Sequence, residues 1–63
     1  MADERKVFHI VVPRHKAHEV KSMMMEVTGK WPFSTEYYED IYIQNELTEH
    51  EREVIDHRLE MIL

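Results

Sequence analysis

The first clear pattern along the chain is a six-residue run rich in β-branched and aromatic side chains, Val7–Val12. A short run of this composition is typical of a β-strand that is well covered by other structure. Because side chains alternate along a strand, Phe8, Ile10 and Val12 share one face, and His9 lies with its valine neighbours on the other. The sequence therefore predicts a first strand over residues 7–12.

A helical pattern follows this strand directly. Pro13 suits the first turn of a helix, where its missing amide hydrogen leaves no bond unmade, and Gly29 suits the left-handed residue that ends one. We therefore predict a helix from about residue 13 to residue 28. Met25 is expected to face solvent or a partner. At about 100° per residue, one arc of the helix is apolar and is expected to be buried: Ala17, Val20, Met23, Met24 and Val27.

A second strand is predicted over Tyr37–Asn45, which combines aromatic and β-branched residues in partial alternation. Ile41 and Ile43 are its apolar pair, so their face is expected to lie inside. Tyr38 and Tyr42 then lie on the outer, partly solvated face. If the two strands are neighbours, a helical crossover between them makes them parallel.

A second helix is predicted from Thr48 onward, because Thr48 and Glu51 have the spacing of a capping box. Arg58 projects into the apolar side of this helix, and two interpretations stand. Its stem lies on apolar surface near the helix C-terminus, or it meets a carboxylate across an interface. The apolar arc itself runs to the end of the chain through Val54, Ile55, Leu59, Met61 and Ile62.

The predicted order of strand, helix, strand and helix indicates an α+β fold. We expect a two-layer β-α-β-α unit with both helices on one face of a short sheet. The whole chain, residues 1–63, is expected to be one domain, with residues 1–6 frayed. Because two strands rarely make a stable sheet and so short a chain buries little core, we also expect a homodimer that completes the sheet.

Composition narrows the range of functions. Without cysteine, the chain has no disulfides, thiol nucleophiles or thiolate metal sites, which suits a reducing cytosol. Its longest apolar run is far shorter than the roughly 20 residues of a membrane span, and its start does not resemble a signal peptide. A single glycine excludes the familiar glycine-rich phosphate loops. We expect a soluble cytoplasmic protein that is not an enzyme and has no cofactor.

Charge is distributed unevenly along the chain. Residues 1–30 contain six Lys/Arg and four Asp/Glu, whereas residues 31–63 contain two Lys/Arg and nine Asp/Glu. Four carboxylates of the second helix fall within an arc of about 60° away from its apolar face; this acidic stripe consists of Glu49, Glu53, Asp56 and Glu60. Like charges four residues apart destabilise a helix, and no lysine is interleaved. The stripe is therefore either a solvated face or a surface that binds a partner.

Other side chains extend this candidate surface. Glu39 and Asp40 add carboxylates on the second strand. Trp31 and Phe33 have two interpretations, as a plug over the open end of the core or as a prong beside the acidic surface. Carboxylates combined with aromatic anchors are suited to a DNA mimic that occupies the basic groove of a nucleic-acid-binding protein. The candidate aromatic anchors are Trp31, Phe33, Tyr38 and Tyr42.

The first helix offers the opposite kind of surface. Four of its residues or neighbours could contact phosphates, which makes a dimeric nucleic-acid-binding module the alternative: Arg14, His18, Lys21 and Lys30. So few cations in a chain of net charge −5 would bind nucleic acid weakly and with strong salt dependence.

Histidines with ligand-like spacing occur in two places, as His15 with His18 and as Glu53 with His57. Neither pair completes a metal site and none is predicted, so a metal- or small-ligand-binding domain is the weakest of the three functions considered. The sequence therefore favours a small regulatory protein that binds another protein through its acidic second half, and inhibition of a nucleic-acid-binding protein by charge mimicry is one form of this. We expect no contact with membranes and no direct binding of nucleic acid.

Overall fold

A computed structural model of the chain describes residues 4–63. Three strands form one antiparallel sheet in the order β1-β3-β2, and both helices pack on the same face of it. The predicted α+β class and the two-layer arrangement are confirmed. The elements are β1 (Lys6–Pro13), α1 (Arg14–Thr28), β2 (Phe33–Tyr37), β3 (Asp40–Leu47) and α2 (Glu49–Ile62).

The predicted second strand, residues 37–45, contains the last residue of β2, a tight turn and most of β3, whereas residues 33–36 of β2 were not predicted as a strand. Tyr37 pairs with Asp40, and the chain reverses through Tyr38 and Glu39 between them. Tyr38 has a φ of 57°, the left-handed region that glycine or asparagine normally occupies. Because the turn contains neither residue, the sequence carried no signal for it, and the third strand was missed.

The expected parallel pairing of neighbouring strands was wrong. β3 lies between β1 and β2 and is antiparallel to both. β1 and β2 therefore run parallel to each other, but they are not neighbours. The hairpin places β3 between them, so one chain forms a three-stranded sheet in place of the two strands that were predicted.

The inner face of the sheet is set by alternation along β1 and β3. The register places Phe8 opposite Asn45, Ile10 opposite Ile43, and Val12 opposite Ile41. These positions face the helices, as predicted for Ile41 and Ile43; for β1 the sequence predicted which residues share a face but not that this face lies inside. Together with residues of both helices they form one core: Phe8, Val12, Ala17, Val20, Met23, Met24, Ile41, Ile43, Leu47, Ile55 and Leu59.

Helix α1 begins and ends close to the predicted residues. Pro13 is its N-cap and not its first residue, and no side chain caps that end. Gly29 has φ 77° and its amide donates to the Met25 carbonyl oxygen at 2.8 Å, which is the expected left-handed C-cap. Val27 is partly buried against the core, and Met25 is exposed as expected.

Helix α2 has the predicted capping box but a narrower buried face. The Thr48 hydroxyl accepts from the Glu51 amide at 3.2 Å, and the Glu51 carboxylate accepts from the Thr48 amide at 3.0 Å. Ile55 and Leu59 are buried, whereas Met61, predicted on the same arc, is exposed. Arg58 donates to the Glu26 carboxylate of α1 at 3.0 Å. It therefore links the two helices of one chain.

The start of the chain is held more firmly than expected where it is described. Residues 1–3 of the predicted frayed segment lie outside the described residues. Lys6 begins β1, and the Arg5 guanidinium lies 2.8 Å from the Glu51 carboxylate. Neither helix of residues 4–63 combines the length and the apolar composition needed to cross a membrane.

Candidate partner-binding site

The acidic stripe lies on the solvent side of α2. Burial of Ile55 and Leu59 turns the opposite side of the helix outward, and all four stripe carboxylates are exposed. Arg52 lies 3.5 Å from Asp56 and relieves the stripe at one point. No lysine is interleaved in the stripe, but this arginine partly takes that role. Both partners of the pair are more than half exposed, so it contributes little to stability.

The first turn of α2 is anchored at Glu51. Burial acts to raise the pKa of this carboxyl, but the hydrogen bond from the Thr48 amide opposes it, followed by the hydrogen bond and charge of Arg5 and the bond from the Thr48 hydroxyl. Their sum lowers the pKa of Glu51 below its ordinary value. Glu51 is thus a structural carboxylate, distinct from the stripe on the same helix.

Glu39 and Asp40 lie away from α2, at the hairpin between β2 and β3. The Glu39 carbonyl oxygen accepts from the Arg14 amide at 3.2 Å, which ties the turn to the start of α1. Tyr38 precedes them and is 87% exposed, and its ring meets Tyr37 edge-on at 5.2 Å. The hairpin tip therefore presents an aromatic ring and two carboxylates that follow it in the sequence.

Two of the other predicted aromatic anchors, Phe33 and Tyr42, lie on the outer face of the sheet. Phe33, 63% exposed, and Tyr42 lie on the sheet face that no helix covers. The Tyr42 hydroxyl donates to Gln44 at 2.9 Å, and its ring lies 6.0 Å from that of His9. The acidic stripe belongs to the helix layer on the other side of the sheet. A single surface that combines the stripe with Phe33 and Tyr42 does not form.

Trp31 is not the plug of the core. Its side chain is 53% exposed, with the Lys21 ammonium 5.9 Å from the ring centre and the His18 ring 6.2 Å away. Pro32 is the buried residue of this loop. The plug interpretation is therefore wrong for Trp31 and Phe33, because the small ring between them takes the inward position.

The basic residues predicted as an alternative binding face gather beside β2, and most are engaged. Arg14 lies 3.1 Å from the Glu36 carboxylate and donates to the Tyr38 carbonyl oxygen at 2.7 Å. Lys21 donates to the Ser34 hydroxyl at 3.3 Å. These bonds tie α1 to β2 and to the hairpin, so the side chains have structural roles that the sequence did not reveal.

Asn45, at the end of the predicted second strand, is a buried polar residue. Its Oδ1 accepts from the Glu46 amide at 2.8 Å, just beyond the last β2–β3 pair, Phe33↔Gln44. Its Nδ2 is buried without a partner among residues 4–63. Alternation from Ile41 and Ile43 already points this residue inward, which was the available signal. A shallow cleft of about 450 Å³ lies beside it.

All four arginines are in ion pairs, whereas most of the described carboxylates are not. Each of the four arginines pairs with one carboxylate: Arg5 with Glu51, Arg14 with Glu36, Arg52 with Asp56, and Arg58 with Glu26. The described carboxylates outside these ion pairs are Glu4, Glu19, Glu39, Asp40, Glu46, Glu49, Glu53 and Glu60. The arginines are thus neutralised internally, and eight unpaired carboxylates remain against four lysines, so the unpaired charge is mainly acidic.

The histidine pairs do not gather further ligands. Within the part of the chain that the structure describes, no three His, Asp or Glu side chains are grouped so that they could hold a metal ion. His18 lies near Ser22, at 3.5 Å, and near Trp31. Comparisons with other proteins add no family: no protein-family model, no curated protein and no solved structure matches the chain.

Proposed function

We propose that this chain is a non-enzymatic regulatory protein that binds a positively charged surface of another protein through the acidic stripe of α2. The observation that carries the proposal is the contrast in charge pairing: Glu49, Glu53 and Glu60 are exposed and make no ion pair within residues 4–63, whereas every arginine is paired. A concentrated field of one sign steers an oppositely charged partner and fixes its orientation.

The partner class that fits this surface best is a nucleic-acid-binding protein. Successive stripe carboxylates rise about 4.5–6 Å along the helix axis, whereas phosphates rise about 3.4 Å along one strand of DNA. The stripe would therefore imitate the overall negative charge of a nucleic acid and not its phosphates one by one. Occupying a basic groove in this way would inhibit the partner.

The hairpin tip supplies a second contact in this proposal. Tyr38 is almost fully exposed, and Glu39 and Asp40 follow it directly. An aromatic side chain that loses its solvent on binding is a frequent source of affinity, and carboxylates beside it favour a basic partner. Phe33 and Tyr42, on the uncovered sheet face, are outside this contact.

The test compares two variants of equal charge. Glu53→Lys, Asp56→Lys and Glu60→Lys together reverse most of the stripe, while Glu4→Lys, Glu19→Lys and Glu46→Lys together make the same change in net charge elsewhere. Proteins retained from a lysate of the source organism by the wild type are identified by mass spectrometry, and the affinity of each retained protein is then measured. The stripe variant should bind at least about a hundredfold more weakly, because close interfacial charge pairs couple by about 1.5–7 kcal/mol.

Two further results decide the proposal. The control variant should keep most of the affinity, and double-stranded DNA should displace the chain from its partner if the two share a groove. Equal weakening of both variants would mean that net charge alone matters, and no weakening would make the stripe a solvated face. Circular dichroism on both variants establishes that each is folded.

A nucleic-acid-binding module remains the second candidate, and one observation favours it. Trp31 is half exposed between Lys21 and His18, an arrangement on which an unpaired base could stack. A labelled single-stranded oligonucleotide titrated with the chain at about physiological salt distinguishes the candidates by its anisotropy. Binding that Trp31→Ala removes would favour this function over the first, and absence of binding would exclude it.

A further inference from the structure

The two edges of the sheet differ in how they are protected. β2 is a short strand preceded by a proline, and α1 side chains reach its residues: Lys21 bonds Ser34, and Arg14 pairs with Glu36. β1 is longer, and between Lys6 and Pro13 it has no acidic residue or lysine that would hinder pairing with another strand. Natural sheets usually protect edges by shortness, prolines or charge. β1 is therefore the unprotected edge.

Backbone pairing shows which groups of β1 are free. Pro13 has no amide hydrogen, and the Arg14 amide donates to the Glu39 carbonyl oxygen. Pro13 and Asp40 are consequently a non-hydrogen-bonded pair of the antiparallel ladder. Hydrogen-bonded and non-hydrogen-bonded pairs alternate along such a ladder. The even-numbered residues of β1 therefore make the backbone hydrogen bonds with β3.

The N–H and C=O groups of Val7, His9 and Val11 therefore point to the free edge. Within residues 4–63, the backbone bonds outside the regular elements do not involve them. Val7 is 56% exposed and Val11 is 48% exposed. The edge thus combines free backbone groups with exposed apolar side chains, which is the composition of a strand-pairing surface.

We propose that two copies of this chain associate through antiparallel pairing of their β1 edges about a two-fold axis at His9, which gives a continuous six-stranded sheet. This register pairs His9 with His9 of the second copy and Val7 with Val11 in both directions, so every free N–H and C=O of the three residues is used. An axis at Ile10 would instead place Val7 opposite Pro13, which has no amide hydrogen to donate.

A second copy is the occupant that the edge itself selects. The strand is self-complementary about His9, as a two-fold interface requires. The same axis pairs Phe8 with Ile10 of the second copy as well as Val7 with Val11, so apolar side chains meet on both faces of the joint sheet. The association does not depend on the acidic stripe, which is on α2.

Cysteine cross-linking tests the register, since the chain has no cysteine of its own. Residues directly opposite in a hydrogen-bonded pair have Cα atoms about 5.5 Å apart, within reach of a disulfide. In the proposed register, His9→Cys should cross-link under mild oxidation into a dimer on a non-reducing gel. Val11→Cys is the matched control, because its two copies would lie about 13 Å apart along the strands and should not cross-link.

Charge at the edge tests the association itself. The double variant Val7→Lys, Val11→Lys sets ammonium groups directly opposite each other in the proposed register and should raise the dimer dissociation constant about tenfold or more by sedimentation velocity. The double variant Phe33→Lys, Tyr37→Lys makes the same charge change on β2 and should leave that constant unchanged. A wild type that is monomeric at all concentrations, an effect of the β2 variant alone, or cross-linking through position 11 would overturn the proposal.

Discussion

Helices α1 and α2 both present a charged face to solvent, but they use it differently. On α1, Arg14 holds the hairpin and Lys21 holds β2, while Glu26 reaches Arg58. On α2, the outward carboxylates of the acidic stripe meet a single partner, Arg52, at Asp56. Polar side chains on α1 therefore help to position the elements, whereas most of those on the stripe do nothing for the fold within residues 4–63.

The difference indicates where function can reside on so small a protein. A charged residue that fixes two elements together cannot be offered freely to a partner without loss of stability. The stripe has no such constraint, and its like charges oppose helix formation slightly. If stability alone determined the sequence of α2, alternating charges would be more favourable.

The largest effect should come from the apolar side of α2. Ile55 is fully buried, and Ile55→Ala is expected to lower the free energy of unfolding by about 2–5 kcal/mol. Met61→Ala, on the arc that the sequence predicted as buried, should change it by less than about 0.5 kcal/mol, because Met61 is exposed. Urea denaturation followed by circular dichroism measures both.

If Ile55→Ala leaves too little folded protein to measure, Ile55→Val replaces it, with an expected loss of about 0.5–1.5 kcal/mol. A cost for Met61→Ala as large as that for the Ile55 variant would show that α2 packs through a wider face than the one described.

An intermediate effect is expected at the capping box. Thr48→Ala should cost about 1 kcal/mol, because the Glu51 amide loses its acceptor. Glu51→Gln keeps an acceptor for the Thr48 amide but removes the charge. Since the pKa of Glu51 is lowered in the folded chain, its charge stabilises the fold above its ordinary pKa, and this contribution is lost as the pH falls through the lowered value.

The stability of wild type and Glu51→Gln should therefore differ near neutral pH and converge in acid. Thermal unfolding at a series of pH values measures this, with Thr48→Ala as the comparison. A gap between wild type and Glu51→Gln that stays constant down to acid pH would mean that the Glu51 charge has no role in holding α2.

The smallest changes in the free energy of unfolding are expected from one variant on the charged face of each helix. Arg14→Gln should lower the free energy of unfolding by about 0.5–1 kcal/mol, because it removes the bond to the Tyr38 carbonyl oxygen and an exposed ion pair with Glu36. Glu53→Gln should have no cost or raise stability by a few tenths of a kcal/mol, since it relieves a like-charge pair with Glu49. Equal losses in both, measured by urea denaturation, would remove the distinction between the helices.

Local signals in the sequence were sufficient for the helices. Pro13, Gly29 and the Thr48 capping box define helix ends through contacts among neighbouring residues, so the bounds of α1 and the start of α2 followed. The exposure of the stripe followed from helical geometry alone. Alternation also separated the two faces of β1, but which of them packs on the helices was not predicted, because both contain apolar residues.

Non-local pairing accounts for what the sequence did not show. The reversal at Tyr38 lacks glycine, so the predicted strand ran through the turn, and residues 33–36 were not predicted as a strand. Once that hairpin is missed, the antiparallel order cannot be derived, nor can the separation of Tyr42 and Phe33 from the stripe. The burial of Pro32 in place of Trp31 depends on how the loop closes against the sheet, which composition does not reveal.

The central position of β3 has a consequence for the order in which the chain folds. Its pairing with β2 joins residues that are close in sequence, and such contacts form early because little chain entropy is lost. Its pairing with β1 joins residues separated by the whole of α1 and the hairpin. We expect the hairpin and α1 to form first and the docking of β1 to limit the folding rate, so the strand with the free edge is also the last to be placed.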